Sequence, residues 1–503
     1  MISVFMTIIL SFFNNLRRGV FMYLNKELYK GYREYPERIL QFGEGNFLRA
    51  FADWIIDKMN KELDFNGSVL VIQPRNNNRV YDLNKQDGLY TLLINGIDKG
   101  NLKNEISIVN SISRGLNTYV EYDEYLKSAE NPDMRFVISN TTEAGIVFNE
   151  EDRLDDMPPS SFPAKLTLWL YHRYKFFNGD TNKGMLILPC ELIENNGDSL
   201  KEIILKLCQN WNLEKGFIDW INNSNRFYNT LVDRIVPGYP KEKAKDIEKE
   251  IGYKDKFLVE SEYFYLWVIE GDLSIKEEFP TDQLGLNVLF VKNLDLYRLR
   301  KVRILNGAHT TMVPVSYLYG LDTVKDSIDN PLIGDYIKKT IYNEIMPTLD
   351  LSKDELEDFA ESVLDRFRNP FIKHYLMSIS LNGMSKFKTR VLPSILEYKN
   401  RNNDLPKLLL FSLAATIYFY KGSRNGESIN LSDDTEILEL YNNLWSRYDG
   451  SYNSILYIVE NILALDKLWD INLNDIPGMT KMVADYLYSI INNGIESALK
   501  EVL

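Results

Sequence analysis

The sequence predicts an α/β fold for the first part of the chain and a mostly α-helical fold for the second part. An apolar run, a glycine turn, a helical pattern and a second apolar run follow one another over residues 38–74. Further strand-like runs continue to residue 293, and helical patterns dominate from there to the end. We therefore expect three regions, namely an N-terminal extension, an α/β domain and a helical domain, at residues 1–35, 36–290 and 291–503.

The first elements form a βαβ unit. RILQF (38–42) is short and apolar, and it ends at a glycine turn. The next segment places apolar residues from Phe47 to Met59 at helical spacing, and SVLVIQP (68–74) has the pattern of a buried strand ended by proline. A strand, a helix and a second strand in this order predict a parallel sheet.

The remaining elements follow from similar patterns. Apolar runs predict strands at 91–96, 135–142, 184–192 and 287–293, and a helix is predicted at 162–177. Polar and charged stretches are predicted as loops at 150–160, 241–256, 400–406 and 421–434.

Composition excludes several classes of protein. The chain has 503 residues and 45% hydrophobic residues, which rules out global disorder. A net charge of −13 argues against nucleic acid as a partner. Two cysteines and three histidines provide few ligands for a zinc site, so we expect no metal. Two cysteines do not form a disulfide framework, so we expect two reduced thiols in a cytoplasmic protein. Residues 1–13 are apolar but too short to span a bilayer, and we interpret them as part of an extension.

The segment GEGNFLRA, from Gly43 to Ala50, joins the first strand to the first helix. Glycines in such a turn let the backbone approach a pyrophosphate closely. The usual third glycine is Leu48 here, and glycine turns also occur without a ligand. The strand and helix around it favour a Rossmann-type dinucleotide-binding domain. We expect the cofactor contacts at one set of residues: Phe42, Gly43, Gly45, Asn46, Phe47, Arg49 and Gln73.

The cofactor itself is less sharply indicated. An acidic residue usually binds the adenosine ribose roughly 20 residues after the turn. Here the second strand ends in Gln73-Pro74-Arg75. Gln73 can also bond a ribose, whereas Arg75 favours a 2′-phosphate. We expect NAD, with NADP as the alternative.

A second segment, KVRILNGAH, carries three polar residues of interest. On an α-helix Lys301, Asn306 and His309 point at about 0°, 140° and 80°, which places them on one side. Lysine with a pKa lowered by burial can exchange a proton with an alcohol, an amide can stabilise the oxygen, and an imidazole can orient it. Gly307 indicates close approach of a ligand or another backbone. The alternative is a solvated basic helix face.

These two segments resemble the polyol-specific long-chain dehydrogenases, the family typified by mannitol 2-dehydrogenase. The family's GxGxFxRA turn and KxxxxNxxH helix are matched at Gly43, Gly45, Phe47, Arg49, Ala50, Lys301, Asn306 and His309. The resemblance covers the chain from about residue 36 to its end.

The resemblance implies roles for the matched residues. Lys301 corresponds to the catalytic acid/base, Asn306 to the oxyanion-stabilising amide and His309 to the substrate-orienting imidazole. Asn196 in ENNG corresponds loosely to a second substrate-side asparagine. Cys190-Glu191-Leu192 departs from the family's more common CDN, which puts the substrate contacts of that strand in doubt.

Longer segments, such as LPCELIENNGDSL and RFRNPFIKHYLMSISLNGMSKFKTRVLP, resemble family members that act on open-chain sugar acids. The resemblance implies reversible hydride transfer between NAD and a secondary carbinol carbon. Basic residues crowd residues 368–390, and we select Arg368 and Lys386 as partners for the substrate carboxylate. The alternative for these two residues is a basic surface. The alternatives for the function are a family member acting on fructuronate or mannitol and a non-catalytic nucleotide sensor. The sequence does not predict an oligomeric state.

Overall fold

The computed structural model describes residues 22–142, 144–424 and 426–503. The chain forms two compact units, the first containing residues up to Asn95 and Lys103–Leu294, the second containing Gly96–Leu102 and Asp295–Leu503. The boundary predicted near residue 290 lies close to Leu294, while nothing in the sequence indicates that Gly96–Leu102 belongs to the second unit. Of the predicted N-terminal extension, residues 1–21 lie outside the described part. Leu24, in the remainder, is fully buried in the first unit.

The first unit is built on a six-stranded sheet in which every pair of neighbouring strands is parallel. Its strands stand in the order β5-β2-β1-β6-β7-β8. This order reverses between β1 and β6, as in a doubly wound dinucleotide-binding fold. The predicted parallel sheet and α/β class are therefore confirmed. The six strands are β1 (Glu37–Phe42), β2 (Ser68–Gln73), β5 (Ile112–Asn117), β6 (Phe136–Ser139), β7 (Leu186–Pro189) and β8 (Arg226–Phe227).

Helices cover both faces of this sheet, because β1, β2 and β6 bury apolar side chains in two separate clusters. The helix predicted at 162–177 is present, and Ser161 caps it by accepting from the Ala164 N–H. The helices of the first unit are α1 (Asn46–Arg49), α2 (Ala52–Glu62), α3 (Arg79–Lys85), α4 (Tyr122–Lys127), α5 (Phe162–Phe176), α6 (Asn196–Asn210), α7 (Lys215–Ser224), α8 (Ala244–Ile251) and α9 (Ile275–Glu278).

Two small sheets complete the first unit, in the orders β10-β3-β4 and β12-β11-β9. The runs predicted at 91–96 and 287–293 form part of β3 and β12, whereas the other four strands were not predicted. Three of those four are only four or five residues long, which is too short for a clear period-two pattern. The strands are β3 (Tyr90–Asp98), β4 (Asn101–Val109), β9 (Asn229–Asp233), β10 (Val259–Glu262), β11 (Leu266–Glu270) and β12 (Val288–Val291).

The loop predicted at 241–256 is wrong, because α8 lies within it. Ala244 and Ile247, three residues apart, pack against Leu93 and Leu258. The many charges around them hide this narrow apolar stripe. The other predicted loops change less. The helix Leu392–Asn402 extends into the predicted loop at 400–406, and a two-stranded ladder, β13 (Ser423–Arg424) with β14 (Glu427–Ser428), lies inside the predicted loop at 421–434.

The second unit is predominantly helical, as predicted. Its most apolar helix, α18, is capped by the buried Glu344, whose carboxylate accepts the N–H groups of Leu408 and Leu409 at 2.9 and 2.8 Å. The described part of the chain contains no helix long and apolar enough to cross a membrane. The helices are α10 (Asp295–Arg300), α11 (Ala308–Tyr319), α12 (Val324–Asp329), α13 (Pro331–Lys339), α14 (Lys353–Phe367), α15 (Leu376–Ile379), α16 (Gly383–Arg390), α17 (Leu392–Asn402), α18 (Lys407–Phe419), α19 (Thr435–Trp445), α20 (Tyr452–Leu463), α21 (Asp466–Trp469) and α22 (Met479–Val502).

Candidate functional site

The glycine turn lies at the carboxyl edge of the parallel sheet, directly after β1. Gly43 has φ +119°, and its N–H donates to the Ile72 carbonyl at 3.0 Å. A Cβ on Gly43 would stand 3.2 Å from the Asn140 carbonyl oxygen, whereas a Cβ on Gly45 would meet nothing within 4 Å. The fold therefore requires glycine at position 43 but not at position 45. The open backbone at Gly45 is the space that a pyrophosphate needs.

Arg49 lies underneath this turn and is only 1% exposed. Its guanidinium donates to the Glu44 carbonyl at 3.4 Å, to Asn46 Oδ1 at 2.6 Å, and to the Phe257 carbonyl. Burial lowers the pKa of Arg49 to about 10. These bonds hold the turn in its conformation. A direct contact between Arg49 and a cofactor stays a prediction.

The other residues predicted around the turn differ in exposure. Phe42 is buried against Tyr125 and Phe162, while Phe47 is half-buried and stacks on Phe51 with ring centroids 4.9 Å apart. Phe47 is therefore the aromatic side chain that a ligand can reach, whereas Phe42 supports the end of β1.

Asn46 bonds a further residue beside the turn, Arg79, which was not predicted from the sequence. Its Oδ1 atom accepts from the exposed guanidinium of Arg79 at 3.3 Å. Arg79 begins α3, which follows the loop after β2. An exposed cation beside a glycine turn suits phosphate oxygens. No motif includes this position, so only the fold could identify it.

Gln73, predicted as a ribose contact, is completely buried. Its amide donates to the Arg75 and Asn77 carbonyls at 2.6 and 2.5 Å and accepts the Val80 N–H at 3.1 Å. The Gln73 side chain thus holds the loop after β2. Contact with a ribose remains a prediction, and it would require the amide to give up one of these hydrogen bonds.

A buried carboxyl group lies on α2. Asp53 is fully buried, and one of its oxygens accepts from Gln41 Nε2 at 3.2 Å. Burial raises the pKa of Asp53 to about 7. A raised pKa means that the folded protein binds this proton more tightly than the unfolded chain does. The stability that this protonation provides is complete below the unfolded pKa near 4 and is lost as pH rises through 7.

Replacing Asp53 with asparagine should therefore flatten the pH dependence of stability. Between about pH 4 and pH 7 the wild type should lose about 1.4 kcal/mol of stability per pH unit relative to Asp53→Asn, and above pH 7 the difference should stay constant. The measurement is the free energy of unfolding of both proteins at pH 5, pH 6.5 and pH 8.5, with the exposed Asp64→Asn as control. Parallel pH profiles for wild type and Asp53→Asn would contradict this assignment.

The second unit carries Lys301, Asn306 and His309 on one continuous helical stretch. Residues Lys301–Gly307 form a π-helical segment between α10 and α11, so the predicted α-helical angles are wrong for this segment. Such widened turns are common at functional sites, because they redirect side chains. All three side chains are half-buried. A Cβ on Gly307 would stand 3.2 Å from the Arg390 carbonyl, which confirms the predicted close approach of another backbone.

The imidazole of His309 packs against two other rings. Its centroid lies 4.6 Å from that of Phe367 and 5.2 Å from that of His374. Burial, together with the nearby Arg366 charge, lowers the pKa of His374, so this ring is neutral at pH 7. The sequence placed His374 in the basic region but gave no sign that it contacts His309.

The two predicted carboxylate partners have different surroundings. Arg368 forms an ion pair with Asp365 at 3.3 Å, and Asp365 also accepts the Gly100 N–H at 3.1 Å. Lys386 donates to the Ile379 carbonyl at 2.9 Å and lines a small cavity that Thr310 also borders. Burial and Arg390 lower the pKa of Lys386. The cavity reaches the residue that follows His309, which favours Lys386 over Arg368.

Asn196 is fully buried at the start of α6. Its amide donates to the Pro189 and Glu191 carbonyls, each at 3.0 Å, and its oxygen accepts the Thr230 N–H at 2.8 Å. These bonds join β7 to β9. A contact between Asn196 and substrate stays a prediction, and it would require one of them to be exchanged.

Glu191, where the sequence departs from CDN, is also buried. Its carboxylate accepts from Ser139 Oγ at 3.0 Å and from the Thr141 N–H and hydroxyl, both at 2.9 Å. Glu191 therefore fixes the loop after β6, beside the glycine turn. Within the described residues, no group of three or more His, Cys, Asp or Glu side chains is arranged to hold a metal ion.

A doubly wound sheet with an open glycine turn, followed by a helical unit with a lysine, an amide and an imidazole, defines a two-part dehydrogenase. Two family models match the chain: the mannitol dehydrogenase Rossmann domain over residues 37–281 and the mannitol dehydrogenase C-terminal domain over residues 293–491. The chain therefore belongs to the mannitol dehydrogenase family of oxidoreductases.

Relatives and solved structures agree with this assignment. Altronate oxidoreductases of Bacillus subtilis (strain 168) and Escherichia coli O6:K15:H31 are each 48% identical to the chain, covering 95% of it and 98% and 99% of their own lengths. Mannitol 2-dehydrogenase of Pseudomonas fluorescens, solved with NAD and D-mannitol, has a TM-score of 0.64 at 22% identity, with 95% of this chain and 99% of that chain covered. A D-sorbitol dehydrogenase in substrate-free form has a TM-score of 0.78 at 20% identity, covering 95% of this chain and 100% of its own.

Proposed function

We propose that the protein is an NAD-dependent oxidoreductase that interconverts D-tagaturonate and D-altronate in hexuronate catabolism. The observation that carries the proposal is 48% identity over 478 residues to altronate oxidoreductases, together with the Lys301–His309 helix. The same observations argue against a non-catalytic nucleotide sensor, because that class would not need to retain Lys301 and Asn306.

The first unit offers residues that fit a dinucleotide. Gly45 leaves the backbone open, Phe47 presents a partly exposed ring, and Arg79 supplies an exposed cation. Bound NADH supplies the hydride that the ketone carbon receives. We assign pyrophosphate binding to the Gly43–Asn46 turn, with Arg79 beside it.

The second unit provides the proton chemistry. In the reductive direction Lys301, as an ammonium group, gives one proton to the ketone oxygen while the carbon receives hydride, and a secondary alcohol results. Asn306 donates a hydrogen bond to that oxygen as negative charge develops on it, and His309 orients it. In oxidation the neutral lysine removes the hydroxyl proton. No step in this scheme needs a metal ion.

The substrate carboxylate needs a cationic partner, and we assign this role to Lys386 in preference to Arg368. Lys386 borders the cavity next to the His309 helix, whereas Arg368 is already paired with Asp365. We place the reaction in the cytoplasm, in keeping with two cysteines that are both buried and free.

A substrate panel tests the proposal. D-tagaturonate, D-fructuronate and D-fructose are compared by steady-state reduction with NADH and, separately, with NADPH. We expect kcat/KM for D-tagaturonate with NADH to exceed that for D-fructose by at least about 100-fold, because the neutral ketose has no carboxylate to pair with the half-buried Lys386. Preference for D-fructuronate or D-fructose would assign the protein to another substrate of the same family.

A further inference from the structure

The ring of His309 contacts two other rings. Phe367, at the end of α14, lies 4.6 Å away at an interplanar angle of 40°, and His374 lies 5.2 Å away at 74°. The contact with His374 is edge-to-face, an arrangement that aromatic rings prefer, so it favours one orientation of the His309 ring. An imidazole that orients a substrate oxygen depends on this orientation.

The backbone holds His374 in place although it belongs to no helix. Its carbonyl accepts the Val324 N–H at 3.0 Å, and the Leu376 N–H donates to the Asp322 carbonyl at 2.9 Å. Between them, Tyr375 forms a β-bridge with Thr323. Three consecutive residues are thus tied to the start of α12. A side chain on such a fixed segment can hold a neighbouring ring more firmly than one on a free loop.

Charge also suits this arrangement. Arg366, on α14, is the charged residue that acts on His374. The ammonium group of the neighbouring Lys373 lies over the exposed Tyr375 ring, 5.1 Å from its centroid. A neutral His374 adds no positive charge next to His309, so the contact between the two rings is one of packing.

We propose that His374 is a positioning residue for His309: its edge-to-face contact fixes the imidazole that orients the substrate oxygen. This inference rests on the proposed function only in the role that it gives to His309. The contact between the rings does not depend on which ketone is the substrate.

The kinetic test compares His374→Ala with His374→Phe. Alanine removes the ring contact, whereas phenylalanine retains an aromatic edge at the same place. We expect kcat to fall about 10- to 100-fold in His374→Ala, because a small misorientation is costly in catalysis. We expect His374→Phe to stay within about threefold of wild type, with NADH affinity unchanged in both. His172→Ala is the matched control, because this half-exposed histidine bonds Glu130 in the first unit.

Two kinetic outcomes would overturn the inference. One is His374→Ala with wild-type kcat. The other is a folded His374→Phe that is as slow as His374→Ala, since it would show that an imidazole nitrogen is needed. Thermal unfolding of each variant establishes that the protein is folded.

A readout independent of turnover separates this inference from the proposed function. The chain contains only three histidines, so histidine-labelled protein gives three imidazole signals that single replacements can assign. In His374→Ala the His309 signal should shift, because it loses the ring current of its neighbour, and an unmoved signal refutes the contact. If the wild type reduces none of the three ketones, the proposed function fails while this measurement still decides the positioning role.

Discussion

Replacing Lys301 with alanine should lower kcat for ketone reduction about 1000-fold while leaving NADH affinity within about twofold of wild type. The lysine is the proposed source of the proton that the ketone oxygen receives, and it belongs to the second unit, whereas the glycine turn belongs to the first. The measurement is single-turnover oxidation of bound NADH by stopped flow. A Lys301→Ala protein with near-normal turnover would remove lysine from the mechanism.

The variant Lys301→Arg distinguishes a role of Lys301 in proton transfer from a role of its positive charge alone. Lys301→Arg retains a positive charge, but guanidinium does not release its proton at neutral pH. We expect this variant to be nearly as slow as Lys301→Ala, although it can still bind the substrate. Lys292→Ala is the control, since Lys292 is an exposed lysine just before the second unit and should show wild-type kinetics. If Lys301→Arg were fast, Lys301 would act by its charge alone.

Much of the fold could be predicted because long elements show clear periodicity. The βαβ unit over β1, α2 and β2 and the helix at α5 have several apolar positions each, so one face can be recognised. Strands as short as β10 and β11 have too few residues for an alternating apolar pattern to be recognised. They also pair with strands that are distant in the sequence. The charged α8 was missed because its apolar stripe is only two residues wide.

The candidate site was predictable in its residue types but less so in their roles. Gln73 and Asn196 were predicted to contact ligands, and their amides already bond several backbone groups of the protein. A sequence shows that an amide is present but not whether its hydrogen-bonding capacity is used. Likewise, the widened turn at Lys301–Gly307 and the contact between His309 and His374 depend on packing between segments distant in the sequence.

Gly45→Val should abolish tight NADH binding without destabilising the protein. A Cβ at this position meets nothing within 4 Å, and φ is −66°, so the fold tolerates a side chain. The side chain would occupy the space assigned to the pyrophosphate. We expect NADH affinity to fall at least about 30-fold, equivalent to about 2 kcal/mol, measured by calorimetric titration. The melting temperature should stay within about 2 °C of wild type.

Gly43→Val provides the contrasting result, because this glycine is required by the fold. Its φ of +119° is strained for any residue with a side chain, and a Cβ would stand 3.2 Å from the Asn140 carbonyl. We expect a loss of at least about 2 kcal/mol in the free energy of unfolding. One turn thus contains a glycine needed for folding and a glycine needed for a ligand. Normal NADH binding by Gly45→Val would show that the open backbone at position 45 is not the cofactor site. A Gly45→Val protein that unfolds as easily as Gly43→Val would show that the fold needs both glycines.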